Sequence, residues 1–68
     1  MIKEIQTTNM FNQNRIDRFT VGERGIVSIE FEPCGNRKVY KVHQNIGDHL
    51  RVFQIDENRV NKVIYKED

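Results

Sequence analysis

The chain has 68 residues, enough for one small domain but too few to enclose the cleft, on the order of several hundred Å³, that most small-molecule sites occupy. Charged residues make up 31% of the chain, yet the formal net charge is only +1. This balance does not favour a strongly anionic partner such as bulk duplex DNA or a membrane surface. We therefore expect a single domain over residues 1–68 that recognises its partner through its surface.

Cysteine content and hydropathy predict an intracellular protein. Cys34 is the only cysteine in the sequence, which excludes an intramolecular disulfide and a zinc site built from several cysteines. The first residues contain no apolar stretch typical of a secretion signal, and no apolar run approaches the roughly 20 residues of a membrane span. We expect a soluble, cytoplasmic protein without a membrane partner.

The first third of the chain predicts one strand followed by a long loop. Residues 2–8 alternate partly and end in two threonines, a pattern typical of a strand. Residues 9–20 are rich in Asn, Gln, Arg and Asp, and three Asn within six residues disfavour a stable helix. We expect the large apolar residues of this loop, Phe11, Ile16 and Phe19, to hold it across one end of the fold.

A turn and a strand follow the loop. Gly22 and Gly25 lie three residues apart, as is needed where the backbone takes a positive φ or passes another strand too closely for a Cβ atom. After them, Val27, Ile29 and Phe31 alternate with polar residues, which indicates a half-buried strand that ends near residue 32.

The second half of the chain predicts three more strands. Turn formers cluster at residues 33–36, 45–48 and 56–58, and apolar alternation occupies residues 37–43, 50–55 and 60–65 between them. Five short strands predict a sandwich or a barrel, and we expect a barrel because it closes with so few residues. The predicted core consists of Val27, Ile29, Phe31, Val42, Phe53 and Val63.

One longer pattern combines Val-Gly-x-x-Gly-x-Val at residues 21–27, Tyr40-x-Val42, a Gly-Asp turn at Gly47, Phe53, and a polar turn into Val60 and Val63. The pattern resembles SH3-like barrels, and more narrowly the small stand-alone SH3-like proteins of phages and prophages. It is more loosely similar to the Gly-x-x-Gly-x-Val core of KOW-type modules. The resemblance covers about residues 19–63 and implies an all-β, five-stranded SH3-like barrel with a long loop after the first strand. This barrel hosts peptide, RNA and protein recognition alike.

The loop over residues 9–20 is the first candidate binding site. Phe11, Arg15 and Arg18 combine aromatic and cationic side chains, which are enriched in protein contact surfaces. The alternative is a structural role in which Phe11 and Phe19 cap the open end of the barrel.

The second candidate site is a basic hairpin over residues 37–51. It contains four Lys and Arg residues and one acidic residue, and its predicted nucleic-acid ligands are Arg37, Lys41, His43 and Arg51. The alternative is that these charges protect a sheet edge and pair across strands with Glu30 or Glu32.

No catalytic or metal-binding group can be assigned. His43 and His49 flank a turn in which Asp48 is the only nearby carboxylate, and Cys34 has no base placed to activate it. We therefore expect a protein that is not an enzyme and needs no metal or cofactor. The resemblance favours a non-catalytic protein-binding module, an accessory protein of a phage or mobile element that docks on a host or phage protein and modulates it. The alternative is a weak nucleic-acid-binding barrel that uses the basic hairpin.

Overall fold

The computed structural model describes residues 1–67, which form six β-strands and a single 3₁₀ turn. The predicted all-β class is confirmed. None of the helical segments in these residues is long and apolar enough to cross a bilayer. In chain order the elements are β1 (Ile2–Thr8), β2 (Ile16–Thr20), β3 (Ile26–Cys34), β4 (Arg37–Ile46), β5 (His49–Asp56), the 3₁₀ turn (Glu57–Arg59) and β6 (Val60–Tyr65).

The strands form two antiparallel sheets of three strands each. Sheet 1 has the order β2-β1-β6, so the first strand lies in the middle with the last strand beside it. Sheet 2 is the meander β3-β4-β5. Within residues 1–67, no strand pairing joins the two sheets into a closed barrel.

The expected number of strands was wrong, because residues 16–20 form a strand and not the end of a long loop. β2 pairs antiparallel with β1, from Thr8 opposite Ile16 to Glu4 opposite Thr20. Phe19 lies opposite Ile5 and packs against the buried core. The hydrogen bonds of this ladder and the burial of Phe19 favour the extended conformation over the loop that the polar composition predicted. The connecting loop is limited to residues 9–15.

The core lies between the inner faces of the two sheets. Opposite residues of antiparallel strands share a face, so the ladders bring the apolar positions of neighbouring strands together. Ile5 from sheet 1 and Val42 from sheet 2 are fully buried. The core cluster consists of Ile2, Ile5, Ile26, Ile29, Tyr40, Val42 and Ile55.

Two predicted core residues, Val27 and Phe31, are exposed. The register of β3 with β4 shifts between Ile26 and Ser28, so that Val27 is the extra residue of a bulge and Ile26 takes the inward position. Phe31 lies near the end of the sheet, where its ring contacts Tyr40 at 4.8 Å between centroids but remains 44% exposed. The other predicted core residues are confirmed: Ile29 and Val42 are buried, and Phe53 and Val63 are partly buried against the core.

Candidate functional site

The loop between β1 and β2, residues 9–15, is held in shape by the side chain of Asn9. Its Oδ1 atom accepts hydrogen bonds from the backbone N–H groups of Phe11 at 2.8 Å and Asn12 at 3.0 Å. Its Nδ2 atom donates to Asp17 at 3.0 Å. Asn favours such turns because its short side chain satisfies backbone groups two or three residues away. One residue therefore fixes both the start of the loop and its contact with β2.

Further hydrogen bonds close the 9–15 loop. The backbone N–H of Asn9 donates to the carbonyl oxygen of Arg15 at 2.9 Å, and the N–H of Arg15 donates to the carbonyl of Asn12 at 3.0 Å. The side chain of Asn12 accepts from the N–H of Asn14 at 3.0 Å. The three Asn residues that disfavoured a helix thus lie in a hydrogen-bonded hairpin loop.

Phe11 lies at the tip of this loop and is 95% exposed. The expectation that it caps the open end of the fold was therefore wrong. Phe19 does take a structural position, since its ring packs edge-on against Phe53 with 5.6 Å between centroids. Of the two aromatic residues that the sequence placed in one loop, one belongs to the core and the other is presented to solvent.

Two further apolar residues of this hairpin, Met10 and Ile16, are exposed. Both side chains are more than half exposed, Met10 beside Phe11 at the tip and Ile16 at the start of β2. Met10 was not among the predicted binding residues, although it directly precedes Phe11 in polar surroundings. Ile16 was expected to be covered. Met10 and Phe11 are adjacent and together form the apolar tip of the loop.

The two arginines of the first candidate site have different environments. Arg15 lies on the loop and its Nε atom is 3.5 Å from a carboxylate oxygen of Asp17. Arg18 lies in β2 opposite Gln6, exposed on the same face as Ile16. Within residues 1–67, Arg18 forms no ion pair, although its carbonyl oxygen accepts a hydrogen bond from the guanidinium of Arg24. Phe11 and Arg15 therefore share the loop, whereas Arg18 belongs to the adjoining sheet face.

Lys41 and His43, in the second candidate site, lie beside carboxylates of β3. The Lys41 Nζ atom is 2.6 Å from Glu32, and the His43 Nε2 atom is 3.5 Å from Glu30. Hydrogen bonding to Glu32, followed by the negative charge of that residue, raises the pKa of Lys41. The interpretation that the hairpin charges pair across strands is confirmed for Lys41 with Glu32, whereas the buried Nε2 atom of His43 forms no hydrogen bond within residues 1–67.

Arg37 and Arg51 do not complete a continuous basic surface. Arg37 is 3.8 Å from Asp56. Arg51 lies opposite Gln44 and therefore on the face of sheet 2 opposite to Lys41 and His43. Its guanidinium stacks over the ring of Phe53, 4.6 Å from the centroid. The four residues that were predicted to bind nucleic acid therefore lie on two different faces of sheet 2. Three of them have an acidic group beside them.

No group of three or more His, Cys, Asp and Glu side chains that could hold a metal ion occurs in residues 1–67. His43 and His49 lie on opposite faces of sheet 2, because they pair with Val52 and Ile46 respectively. Cys34 is exposed at the end of β3.

A shallow pocket of about 190 Å³ lies away from both candidate sites. It is lined by Met1, Ile2, Lys3, Val21 and Lys66, none of which the sequence selected. Its volume is below the range of roughly 300–1,000 Å³ that is usual for small-molecule sites.

Comparison of the chain with protein-family models, with curated proteins and with solved structures found no match. The assignment of a function therefore depends on the geometry of the chain itself.

Proposed function

We propose that this chain is a non-catalytic protein-binding module that inserts the apolar tip, Met10 and Phe11, into an apolar depression of a partner protein. The exposure of Phe11 is the observation that carries the proposal. Complete burial of a phenylalanine side chain is worth about 1.5–3 kcal/mol, and none of that stabilisation is gained within the chain. A residue of this kind contributes more to association than to folding.

The hydrogen bonds of the 9–15 loop support the same proposal. Ordering a flexible loop on binding costs free energy for each side chain and backbone segment that is immobilised. Asn9 already holds the backbone N–H groups of Phe11 and Asn12 in the unbound chain. The tip is therefore presented in a defined conformation, which lowers the entropic cost of binding.

The charges favour a protein partner over nucleic acid. Methionine and aromatic residues are enriched in protein interfaces, and both occur at the tip. Binding to phosphates requires available cations, whereas Arg37 and Lys41 each lie within 4.0 Å of a carboxylate. Weak binding to nucleic acid is therefore the alternative hypothesis, and the experiment below distinguishes the two.

The fold part of the proposal is that the two sheets correspond to the two halves of an SH3-like barrel. Three features support it: the meander β3-β4-β5, the 3₁₀ turn that follows it, and the return of β6 to pair with β1. The 9–15 loop and β2 then occupy the position of the long loop after the first strand. By this resemblance the chain is a cytoplasmic accessory protein of a phage or mobile element that modulates a host or phage protein.

Affinity capture from a lysate of the host cell tests the proposed function. The immobilised wild-type chain is compared with a Met10→Ala, Phe11→Ala double variant, with and without nuclease treatment of the lysate. Tyr65→Ala is the matched control, because it removes another mostly exposed aromatic ring from a different part of the surface. Thermal melts establish that all three proteins are folded.

We expect a protein that is captured after nuclease treatment, retained by the control and lost by the double variant. Capture that survives in the double variant would contradict the role of the tip. Capture that disappears on nuclease treatment would instead favour the nucleic-acid alternative.

A further inference from the structure

Two arginines lie over a pair of phenylalanine rings that pack against the core. Phe19 of sheet 1 and Phe53 of sheet 2 contact each other edge-on, with 5.6 Å between their centroids. The guanidinium of Arg24 lies 5.9 Å from the centroid of Phe19, and that of Arg51 lies 4.6 Å from the centroid of Phe53. The two contacting rings therefore bring two cationic groups from distant parts of the sequence into one cluster.

Gln44 of β4 also connects the two arginines. Its Nε2 atom donates to the backbone carbonyl oxygen of Arg24 at 2.8 Å. In the ladder of β4 with β5, Gln44 lies directly opposite Arg51, and opposite Cα atoms in such a ladder are about 4.5–5.5 Å apart. Arg24 and Arg51 therefore border the same residue of sheet 2, in addition to covering adjacent rings.

No carboxylate neutralises this arginine pair in the part of the chain that the structure describes. The ion pairs within 4.0 Å in residues 1–67 include neither Arg24 nor Arg51. Like charges that are close together repel each other, and the repulsion is relieved when an anion binds between them. The arginine pair thus differs from Arg37 and Lys41, each of which has an acidic partner.

Stacking on the rings leaves the hydrogen-bond donors of both arginines available. A guanidinium stacks through its flat face, whereas its five N–H groups point outwards in its plane. One nitrogen of Arg24 donates to the backbone carbonyl oxygen of Arg18, which helps to hold the side chain over Phe19. The remaining N–H groups can bind the oxygen atoms of a phosphate or carboxylate in pairs. The rings therefore hold two anion-binding groups in place before a ligand arrives.

We propose that Arg24 and Arg51 together bind a doubly charged phosphate group, either inorganic phosphate or the phosphate of a small monoester. The charge selects this ligand, because two guanidinium groups balance a dianion, and a phosphate monoester carries about −1.5 to −2 charges at neutral pH. A carboxylate and each phosphodiester group of a nucleic acid carry a single negative charge. The site contains neither Met10 nor Phe11, so this inference is independent of the proposed function.

An NMR titration of the arginine Nε–H signals tests the proposal. Inorganic phosphate and glycerol phosphate are added separately at slightly alkaline pH and constant ionic strength. We expect the signals of Arg24 and Arg51 to move together along one saturating curve. The signal of Arg59, which also belongs to no ion pair in residues 1–67, should stay in place. Saturation with either ligand supports the proposal, and the tighter ligand identifies the source of the phosphate group.

Acetate is the control ligand in the same titration. It carries one negative charge, so we expect its Kd to be roughly tenfold higher or more. Shifts that increase linearly with phosphate without saturating, or that are as large at Arg59, would overturn the proposal. Acetate binding as tight as phosphate binding would also overturn it.

Substitutions of the two arginines test whether they act together. Arg24→Gln and Arg51→Gln should each raise the phosphate Kd by roughly tenfold or more, because each removes one charged donor group. Arg59→Gln is the matched control and should leave the Kd unchanged. Arg51→Lys keeps the charge but loses the planar donors, and it should also weaken binding. An unchanged Kd in Arg24→Gln or in Arg51→Gln would overturn the proposal.

Thermal melts keep this test independent of any packing that the substitutions remove. Loss of an arginine side chain from a phenylalanine ring can itself lower Tm, so each variant is compared with and without phosphate. A ligand that binds only the folded chain raises Tm in proportion to its affinity. We expect phosphate to raise the Tm of the wild type and of Arg59→Gln, and to raise those of Arg24→Gln and Arg51→Gln much less. Equal increases in all four proteins would contradict the arginine pair as the site.

Discussion

Gly25 lies directly against the backbone of Asn45 on β4. The N–H of Asn45 donates to the carbonyl oxygen of Gly25 at 2.8 Å, and a Cβ atom at position 25 would lie 2.1 Å from the carbonyl oxygen of Asn45. This approach sets the start of β3 and directs Ile26, the next residue, into the core. The sequence-based prediction that two strands pass closely at Gly25 is confirmed.

Gly25→Ala should therefore destabilise the protein more than Gly22→Ala. Both residues have a positive φ, for which a non-glycine residue costs about 1–2 kcal/mol. A Cβ at position 22 meets no atom within 4 Å, whereas the Cβ at position 25 overlaps backbone and adds about 1–3 kcal/mol of strain. Urea unfolding of both variants measures the difference. Equal losses would show that the contact with Asn45 adjusts at no cost.

Ile5→Ala should cost more stability than Phe31→Ala, although phenylalanine is the larger residue. Ile5 is fully buried, so its truncation leaves a cavity and should cost about 2–5 kcal/mol. Phe31 keeps 44% of its surface exposed, so the surrounding atoms lose fewer contacts. Chemical unfolding gives both values. A larger loss for Phe31→Ala would mean that the outer end of β3 is more deeply packed than the structure indicates.

Asn9→Ala should loosen the 9–15 loop while leaving the sheets intact. The variant removes the acceptor for the N–H groups of Phe11 and Asn12. We expect the free energy of unfolding to fall by at most about 0.5–1.5 kcal/mol for each hydrogen bond that is lost. Amide hydrogen exchange should accelerate at these two residues. Gln13→Ala, in the same loop, serves as the control. Unchanged exchange in Asn9→Ala would show that the backbone hydrogen bonds alone hold the loop, and capture of the partner should then also be unchanged.

The pKa of Glu4 should be lowered by two neighbouring side chains. The Thr20 hydroxyl donates to one carboxylate oxygen at 2.5 Å, and the Gln6 amide donates to the other at 2.8 Å. Both bonds favour the charged form and hold the pKa of Glu4 below its ordinary value, with the Thr20 bond the larger cause.

Thr20→Val should raise the pKa of Glu4 towards its ordinary value in an NMR titration of the side-chain carboxyl group. Because the folded-state pKa is lowered, the stabilisation is present above the unfolded pKa and is lost as pH falls through the folded pKa. The stability difference between wild type and Thr20→Val should therefore shrink on acidification. A Glu4 pKa that does not respond to the substitution would contradict the hydrogen bond as its cause.

Local sequence features predicted one of the two interpretations of the basic hairpin, the cross-strand pairing of its charges. Lys41 pairs with Glu32, and His43 lies beside Glu30, because residues on neighbouring strands of a hairpin are brought together by short turns alone. Phe11 was selected as a binding residue from its polar surroundings, but the same observation was compatible with a cap over the fold. The sequence did not distinguish these roles, because burial depends on where a loop lies relative to the distant sheet.

The sequence by itself determined that the chain is all-β, that short strands separated by turns occupy its second half, and that a close backbone contact falls at Gly25. Period-2 alternation, turn residues and glycine spacing are local properties, and they act through neighbouring residues in the chain. Only the tertiary structure decided that residues 16–20 form a strand, because β2 gains its hydrogen bonds from β1. The tertiary structure also decided that Ile26, and not Val27, lies in the core. A bulge depends on the register of two strands, and it changes which residues on its N-terminal side face inward.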